Sequence, residues 1–250
     1  MRLSVCIPMF FRELPMPEAI AEVAALGYDA AEFWKRGDID LEATAVALKK
    51  YNVELMGMCT DCFELTNPTM KEEFLQKLEE SCIAAKKLGC KRLITQGGKD
   101  TGAPRADQHQ SMVETLKAAL PILEKHEIIL MLEPLNTLIN HKDAYLWSSA
   151  EGFELVREVD SPWVKVLYDI YHQQIMEGNI INTVLENLPY IEHLHCAGSN
   201  GRHEIDNGEL NYPAIFKAID EAGYQGACAL EYKPLMEPRE SLKAAKALLN

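Results

Sequence analysis

Long hydrophobic runs and an excess of basic residues are both absent from this chain of 250 residues. No apolar stretch approaches the roughly 18 residues that span a bilayer, and Pro8 interrupts the N-terminal segment before a signal peptide can develop. Acidic side chains outnumber basic ones by 38 to 25, giving a formal net charge of −13. Because nucleic acids and anionic membranes are bound mainly through lysine and arginine, we expect neither as a partner.

A disulfide framework is lacking as well. The seven cysteines are odd in number and scattered through predicted strands and helices, which indicates a reduced, cytoplasmic chain. Cys59 and Cys62 form one C-x-x-C pair, but no second pair accompanies it, so a zinc half-site and a redox couple are both disfavoured. No linker rich in proline, glycine or serine divides the chain, and we expect one domain over residues 1–250.

What the sequence does contain is a regular alternation of short apolar runs with longer segments of helical period. Strands are predicted at 3–8, 30–34, 53–59, 92–96, 128–133, 164–169, 191–196 and 227–231. Helices are predicted at 18–26, 41–51, 69–88, 111–126, 150–158, 180–187, 212–222 and 238–249. Eight such units in this length are typical of an α/β protein of the (β/α)8 TIM barrel type. A doubly wound open sheet is the alternative, but no G-x-G-x-x-G follows the first strand.

Four consecutive predicted strands end in residues that can ligate a metal: Glu133, Asp169, His195 and Glu231. A lone acid at a strand end is usually a helix cap or a loop residue, but four at one level of a barrel favour a shared site. Buried carboxylates without partners are costly and repel one another, and a divalent cation cancels that cost. Three carboxylates with one imidazole suit Mn²⁺, Mg²⁺ or Co²⁺ in a site with open positions.

Side-chain alternation along the strands predicts three rows that face the barrel interior and end at these groups. The rows are Ile129, Met131 and Glu133; Ile191, His193 and His195; and Ala227, Ala229 and Glu231. His193 is therefore expected inside the barrel below the site, whereas His109, His126 and His141 are expected at the surface. Four apolar residues after the first two strands are expected either to wall the pocket or to lie in the core: Met9, Phe10, Phe11 and Trp34.

Four motifs follow strands five to eight in order. They are Glu133-Pro134-Leu135-Asn136, Asp169-Ile170-Tyr171-His172, Gly201-Arg202-His203-Glu204, and Leu230-Glu231-Tyr232-Lys233-Pro234. Along its full length the chain resembles the xylose isomerase-like TIM-barrel superfamily, specifically its hydroxypyruvate isomerase-like branch. The resemblance implies one divalent metal ion held by Glu133, Asp169, His195 and Glu231. It also implies a homodimer or homotetramer, because similar enzymes are often one of the two.

The resemblance further implies the chemistry of an isomerase that acts on a small hydroxy-carbonyl substrate. Glu133 and Glu231 are the expected catalytic residues, moving protons through a metal-stabilised enediolate as hydroxypyruvate becomes tartronate semialdehyde. His172 and Arg202 are the expected substrate-binding residues. The alternatives are a solvent-exposed or helix-capping role for His172 and, for Arg202, a surface ion pair with Glu204 or Asp206.

The chain departs from the branch at one ligand position, and this departure leaves the substrate open. Hydroxypyruvate isomerase-like sequences usually read His-x-Gln there, whereas this chain reads His193-Leu194-His195, as ketose 3-epimerases do. A ketose 3-epimerase acting on free sugars is therefore the alternative function. Cations beyond the predicted strand ends favour an anionic substrate: Arg12, Lys35, Arg36, Lys99, Arg202 and Lys233.

Two further functions are less favoured by the residues. An apurinic-site endonuclease with three zinc ions needs histidines after strands two and three, where this chain carries Trp34 and Cys59. A sugar-binding protein without catalysis has no need of Glu133 and Glu231 as paired acid–base groups.

Overall fold

Eight parallel strands form a closed barrel in sequence order, with the eighth strand paired to the first. The structure is a computed structural model, and it describes residues 1–249. The strands are β1 (Arg2–Cys6), β2 (Ala30–Phe33), β3 (Glu54–Cys59), β4 (Arg92–Thr95), β5 (Ile129–Leu132), β6 (Val164–Asp169), β7 (Ile191–Cys196) and β8 (Ala227–Leu230). The predicted (β/α)8 TIM barrel is confirmed.

Helices connect successive strands and form the outer layer of the barrel. They are α1 (Ile7–Phe10), α2 (Met16–Ala25), α3 (Leu41–Tyr51), α4 (Lys71–Leu88), α5 (Arg105–His126), α6 (Ser149–Val159), α7 (Ile170–Met176), α8 (Ile180–Asn187), α9 (Tyr212–Glu221) and α10 (Pro238–Ala247). Within residues 1–249, no helix is both long and apolar enough to cross a membrane.

The helix prediction missed two short helices and one helix start. The α1 and α7 helices have only 4 and 7 residues, too few to show a helical repeat. The α5 helix begins at Arg105 rather than at 111. Its first turns escaped the prediction because they carry mostly polar residues without apolar spacing.

Local chemistry fixes the ends of several helices. The Asp40 carboxylate accepts the Ala43 N–H at the start of α3, and the Ser148 hydroxyl accepts the Glu151 N–H at the start of α6. Gly89 ends α4 with a left-handed φ of +71°, which glycine adopts without a side-chain clash.

Two apolar layers fill the barrel interior below the strand ends. The lower layer consists of Ala30, Met56 and Ala227, and the upper layer consists of Cys59, Ile94, Met131 and Leu167. Together with the buried side chains of Glu32 and His193, these layers make the interior a packed core, and the cavity opens at the rim above it.

One of the three predicted interior rows is wrong at its first member. The pairing of β6 with β7 shifts register between Val166 and Leu167, and Ile191 packs in the outer core. Glu192 instead reaches Arg92, with 2.7 Å between the carboxylate and Nε. The shift leaves His193 and His195 fully buried beside the interior residues Leu167 and Asp169.

The backbone around Gly198, in the loop after β7, leaves no room for a Cβ atom. A Cβ there would lie 2.5 Å from the Glu204 carbonyl oxygen and 2.7 Å from that of Asn207. We expect Gly198→Ala to lower the free energy of unfolding by about 1–3 kcal/mol, since the loop backbone must move. Chemical denaturation measures the change.

The control is Gly208→Ala in the same loop, where the nearest atom to a new Cβ is the Ser199 hydroxyl at 3.4 Å. This variant should stay within about 0.5 kcal/mol of the unaltered protein. Equal stability of both variants would show that the loop does not need the close approach at Gly198.

Candidate active site and metal centre

The four side chains predicted as metal ligands come together at the carboxyl ends of β5 to β8. Donor atoms of Glu133, Asp169, His195 and Glu231 all lie within 4.8 Å of one another, and all four residues are buried. His195 Nδ1 is 3.0 Å from Glu231 Oε2 and 3.5 Å from Glu133 Oε1. Asp169 and His195 are register partners on adjacent strands, so the barrel itself sets their separation.

Burial dominates the electrostatics of this cluster. It raises the pKa of Asp169 to about 7, although the Arg202 charge opposes the shift, and it also raises the pKa of Glu133. Burial acts in the same direction on Glu231, but Arg202 and His195 outweigh it and lower the Glu231 pKa. Without a metal, burial therefore makes Asp169 and Glu133 easier to protonate than ordinary carboxyl groups.

The donor set fits a divalent cation. Three carboxylate oxygens and one imidazole nitrogen are ligand types that Mn²⁺, Mg²⁺ and Co²⁺ accept. A dication in their midst would supply the positive charge that these buried groups lack.

Asp169 also starts the helix that follows it. Its Oδ1 accepts the backbone N–H groups of Tyr171 and His172 at the first turn of α7, at 2.8 and 3.3 Å. The cap holds the carboxylate in one orientation, with Oδ2 toward the cluster, 3.3 Å from His172 Nε2.

His172 is buried and neutral rather than solvent-exposed, so the exposed alternative is wrong. Burial holds its pKa well below the ordinary value. The Asn136 backbone N–H and side-chain amide lie 3.2 and 2.6 Å from Nδ1, so this hydrogen-bond network assigns Nδ1 as the acceptor. The remaining N–H is on Nε2, beside Asp169.

Arg202 points into the site rather than into solvent. Its Nη2 lies 2.5 Å from Glu231 Oε2 and 3.5 Å from Asp169 Oδ2, and its guanidinium carbon is 5.0 Å from the centre of the Tyr171 ring. A surface ion pair with Glu204 is wrong, because Glu204 Oε1 accepts the backbone N–H groups of Leu235 and Met236. Arg202 supplies positive charge to two of the candidate ligands.

A cavity of about 290 Å³ opens above the cluster. It is lined by Met9, Trp34, Lys35, Cys59, Phe63, Ile94, Gln96, Glu133, Leu135, His141, His172, His195, Arg202 and Glu231. Four apolar residues were expected either at the cavity wall or in the core. Met9 and Trp34 line the cavity, while Phe10 and Phe11 pack in the core. The volume suits a small metabolite.

Two features of the cavity do not follow from the sequence patterns. The Trp34 indole N–H donates to Glu231 Oε1 at 2.6 Å, so this residue orients a candidate ligand as well as forming a wall. His141, expected at the surface, lines the cavity with its ring 5.3 Å from that of His172. Nothing in the loop sequence around His141 signals this position, because the chain folds back after β5.

Among the other singled-out residues, two cations line the cavity, and the rest lie outside it or carry no charge. His109 and His126 pair with acids on the outer helices, as expected of surface residues. Among the predicted cations, Lys35 and Arg202 line the cavity, while Arg36 binds Asp61 and Glu80. Burial raises the pKa of the Cys59 thiol well above its ordinary value, so it stays protonated.

Fold and site together define a TIM-barrel enzyme with a carboxylate–histidine centre at its strand ends. The model of the family described as xylose isomerase-like TIM barrel matches residues 20–249, and the chain belongs to this family. Hydroxypyruvate isomerase of Escherichia coli (strain K12) is 30% identical over 246 residues, covering 94% of both chains. The 2-oxo-tetronate isomerase of Cupriavidus necator is 27% identical over 247 residues, covering 93% of both. The enzyme class of the chain is accordingly that of an isomerase.

A solved structure described as AP endonuclease, family 2, from Brucella melitensis has a TM-score of 0.93 at 27% identity over 98% of both chains. In this chain Trp34 and Cys59 line the cavity at the ends of β2 and β3. Neither position offers the histidine that a three-zinc nuclease site requires.

Trp34 should report metal binding through its fluorescence. Its indole nitrogen is 2.6 Å from a candidate ligand, so a paramagnetic ion at the cluster should quench it efficiently. We expect Co²⁺ to lower the tryptophan emission of the unaltered protein and Trp34→Phe to lose most of that quenching. The comparison is a Co²⁺ titration followed by emission spectroscopy.

Trp163→Phe is the matched control, since Trp163 lies before β6 near Leu130, away from the cavity lining. It should retain the quenching. Quenching that persists in Trp34→Phe and disappears in Trp163→Phe would place the ion elsewhere.

Proposed function

We propose that the chain is a metal-dependent isomerase that converts hydroxypyruvate to tartronate semialdehyde. Glu133, Asp169, His195 and Glu231 would hold one divalent ion, Mn²⁺, Mg²⁺ or Co²⁺. The observation that carries the proposal is the convergence of these four donors within 4.8 Å, below a small cavity. Relatives named for hydroxypyruvate and for 2-oxo-tetronate, both small oxo acids, support the substrate class.

The bound ion would polarise the substrate carbonyl and offset the negative charge that develops on its oxygens. The two glutamates would move the proton. Arg202 and His195 lower the pKa of Glu231 and keep it ionised, and the ionised carboxylate would take a proton from the hydroxymethyl carbon. Glu133, on the same cluster, would deliver a proton to the former carbonyl carbon. The hydroxyl proton passes to the neighbouring oxygen, so the reaction is balanced without an external oxidant.

Arg202 and His172 would bind and orient the substrate. Arg202 is buried among carboxylates, and a dication that neutralises them would leave its guanidinium available to the substrate carboxylate. Asn136 donates to Nδ1 of His172, which leaves the hydrogen on Nε2, and this N–H could donate to a substrate oxygen in the cavity. Lys35, at the cavity wall and exposed, makes no ion pair within residues 1–249. Two cations favour an acid over a free ketose.

A metal-removal experiment in deuterated water tests the activity. We expect a chelator to abolish conversion of hydroxypyruvate and added Mn²⁺ to restore it. Without the dication, nothing in the site would polarise the substrate carbonyl. Proton NMR should show solvent deuterium in the carbon-bound positions of hydroxypyruvate. Fructose and tagatose serve as comparison substrates. Deuterium in the ketoses alone would assign the 3-epimerase alternative, and deuterium in no substrate would contradict both.

The proton-transfer role of Glu231 is tested by Glu231→Gln. We expect turnover to fall about 10²- to 10⁴-fold at saturating Mn²⁺, because the amide cannot accept the substrate proton. Glu209→Gln, an exposed loop acid that contacts Gln174, is the control and should keep its turnover. The measurement is the steady-state rate with hydroxypyruvate. An unchanged rate in Glu231→Gln would contradict the proposed proton-transfer role of Glu231.

A further inference from the structure

A second buried polar group lies inside the barrel on the far side of His195 from the candidate metal ligands. Glu32 of β2 reaches two histidines of β7 on the opposite side of the barrel. Its Oε2 is 2.9 Å from His193 Nε2, and its Oε1 is 3.0 Å from His195 Nε2. All three residues are at most 1% exposed.

His195 is therefore placed between carboxylates at both ring nitrogens. Nδ1 faces Glu231 and Glu133, while Nε2 faces Glu32. A neutral imidazole carries one hydrogen, and ligation requires a lone pair on the nitrogen that faces the metal. A ligating Nδ1 thus requires the hydrogen on Nε2, and only a group that accepts there can stabilise this form.

We propose that Glu32 is a positioning residue that fixes the tautomer and the ring orientation of His195. The proposal rests on the metal centre proposed above. Metal-ligating histidines commonly donate their second N–H to a carboxylate, which orients the ring and raises its basicity. His193 completes the arrangement, because its Nε2–H donates to the other Glu32 oxygen and holds the carboxylate in place.

The same three residues could instead bind a second cation, since Glu32, His193 and His195 also offer clustered donor atoms. The contacts favour direct pairing with Glu32, because its Oε2 is hydrogen-bonded to His193 Nε2 at 2.9 Å and its Oε1 lies 3.0 Å from His195 Nε2, an ion-pair distance. Within residues 1–249 this group offers three donors, one fewer than the cluster at the strand ends. The number of ions bound per chain separates the two arrangements.

The first experiment measures Mn²⁺ binding from the electron paramagnetic resonance signal of the free ion. We expect one Mn²⁺ per chain in the unaltered protein and an affinity about 10- to 100-fold lower in Glu32→Gln, which loses a carboxylate partner of His195. Glu192→Gln is the matched control. Glu192 is next to His193 in the sequence, but its carboxylate binds Arg92. It should bind Mn²⁺ as the unaltered protein does.

Equal Mn²⁺ affinity in Glu32→Gln and the unaltered protein would overturn the role of Glu32 while leaving the metal centre intact. Two Mn²⁺ per chain, with one lost in Glu32→Gln, would show that Glu32 binds a second cation and would overturn its positioning role. An unaltered protein that binds no Mn²⁺ would overturn the proposed function and this inference together.

A second measurement needs no Glu32 variant and holds even if Glu32→Gln fails to fold. In Mg²⁺-loaded protein with ¹⁵N-labelled histidine, two-bond ¹H–¹⁵N correlations show which ring nitrogen carries the hydrogen. His195 is identified as the ring whose signals vanish in His195→Gln. We expect its hydrogen on Nε2, and a hydrogen on Nδ1 would overturn the proposal.

Discussion

The desolvation of three carboxylates at one end of the barrel is the constraint on which the site depends. Glu133, Asp169 and Glu231 are each at most 6% exposed. Buried carboxylates at this separation cannot all be ionised unless positive charge lies among them. In the protein alone, that charge comes from Arg202 and His195, which lower the pKa of Glu231, while burial raises the pKa of Asp169 to about 7.

The barrel makes this costly arrangement rigid. The ligands come from four adjacent parallel strands, so hydrogen bonding between the strands fixes their spacing, and apolar layers below prevent their side chains from withdrawing. Two of the three carboxylates are also held from outside the cluster: Asp169 by the first turn of α7 and Glu231 by the Trp34 indole. Such support would let these donor atoms keep the geometry that a bound ion requires.

The sequence was sufficient for the barrel and for the four converging groups because both follow from local patterns. A strand that ends in Glu133 or Asp169 places that group at the rim of any parallel barrel. The row containing Ile191 was wrong because a register shift depends on the neighbouring strand. His141 and Glu32 were missed for a related reason: 161 residues separate Glu32 from His193, and no local pattern encodes that contact.

Arg202 connects the charge balance of the cluster to the choice of substrate. Its guanidinium now binds Glu231 and Asp169, the two carboxylates that a metal would also engage. A dication would therefore weaken the hold of these carboxylates on the guanidinium, while the side chain stays beside Tyr171 at the cavity wall. A guanidinium released in this way needs a new anion, and a substrate carboxylate supplies one, whereas a free ketose does not. The buried carboxylates that favour a metal thus also favour an acidic substrate, because Arg202 pairs with those carboxylates and could pair with the substrate carboxylate.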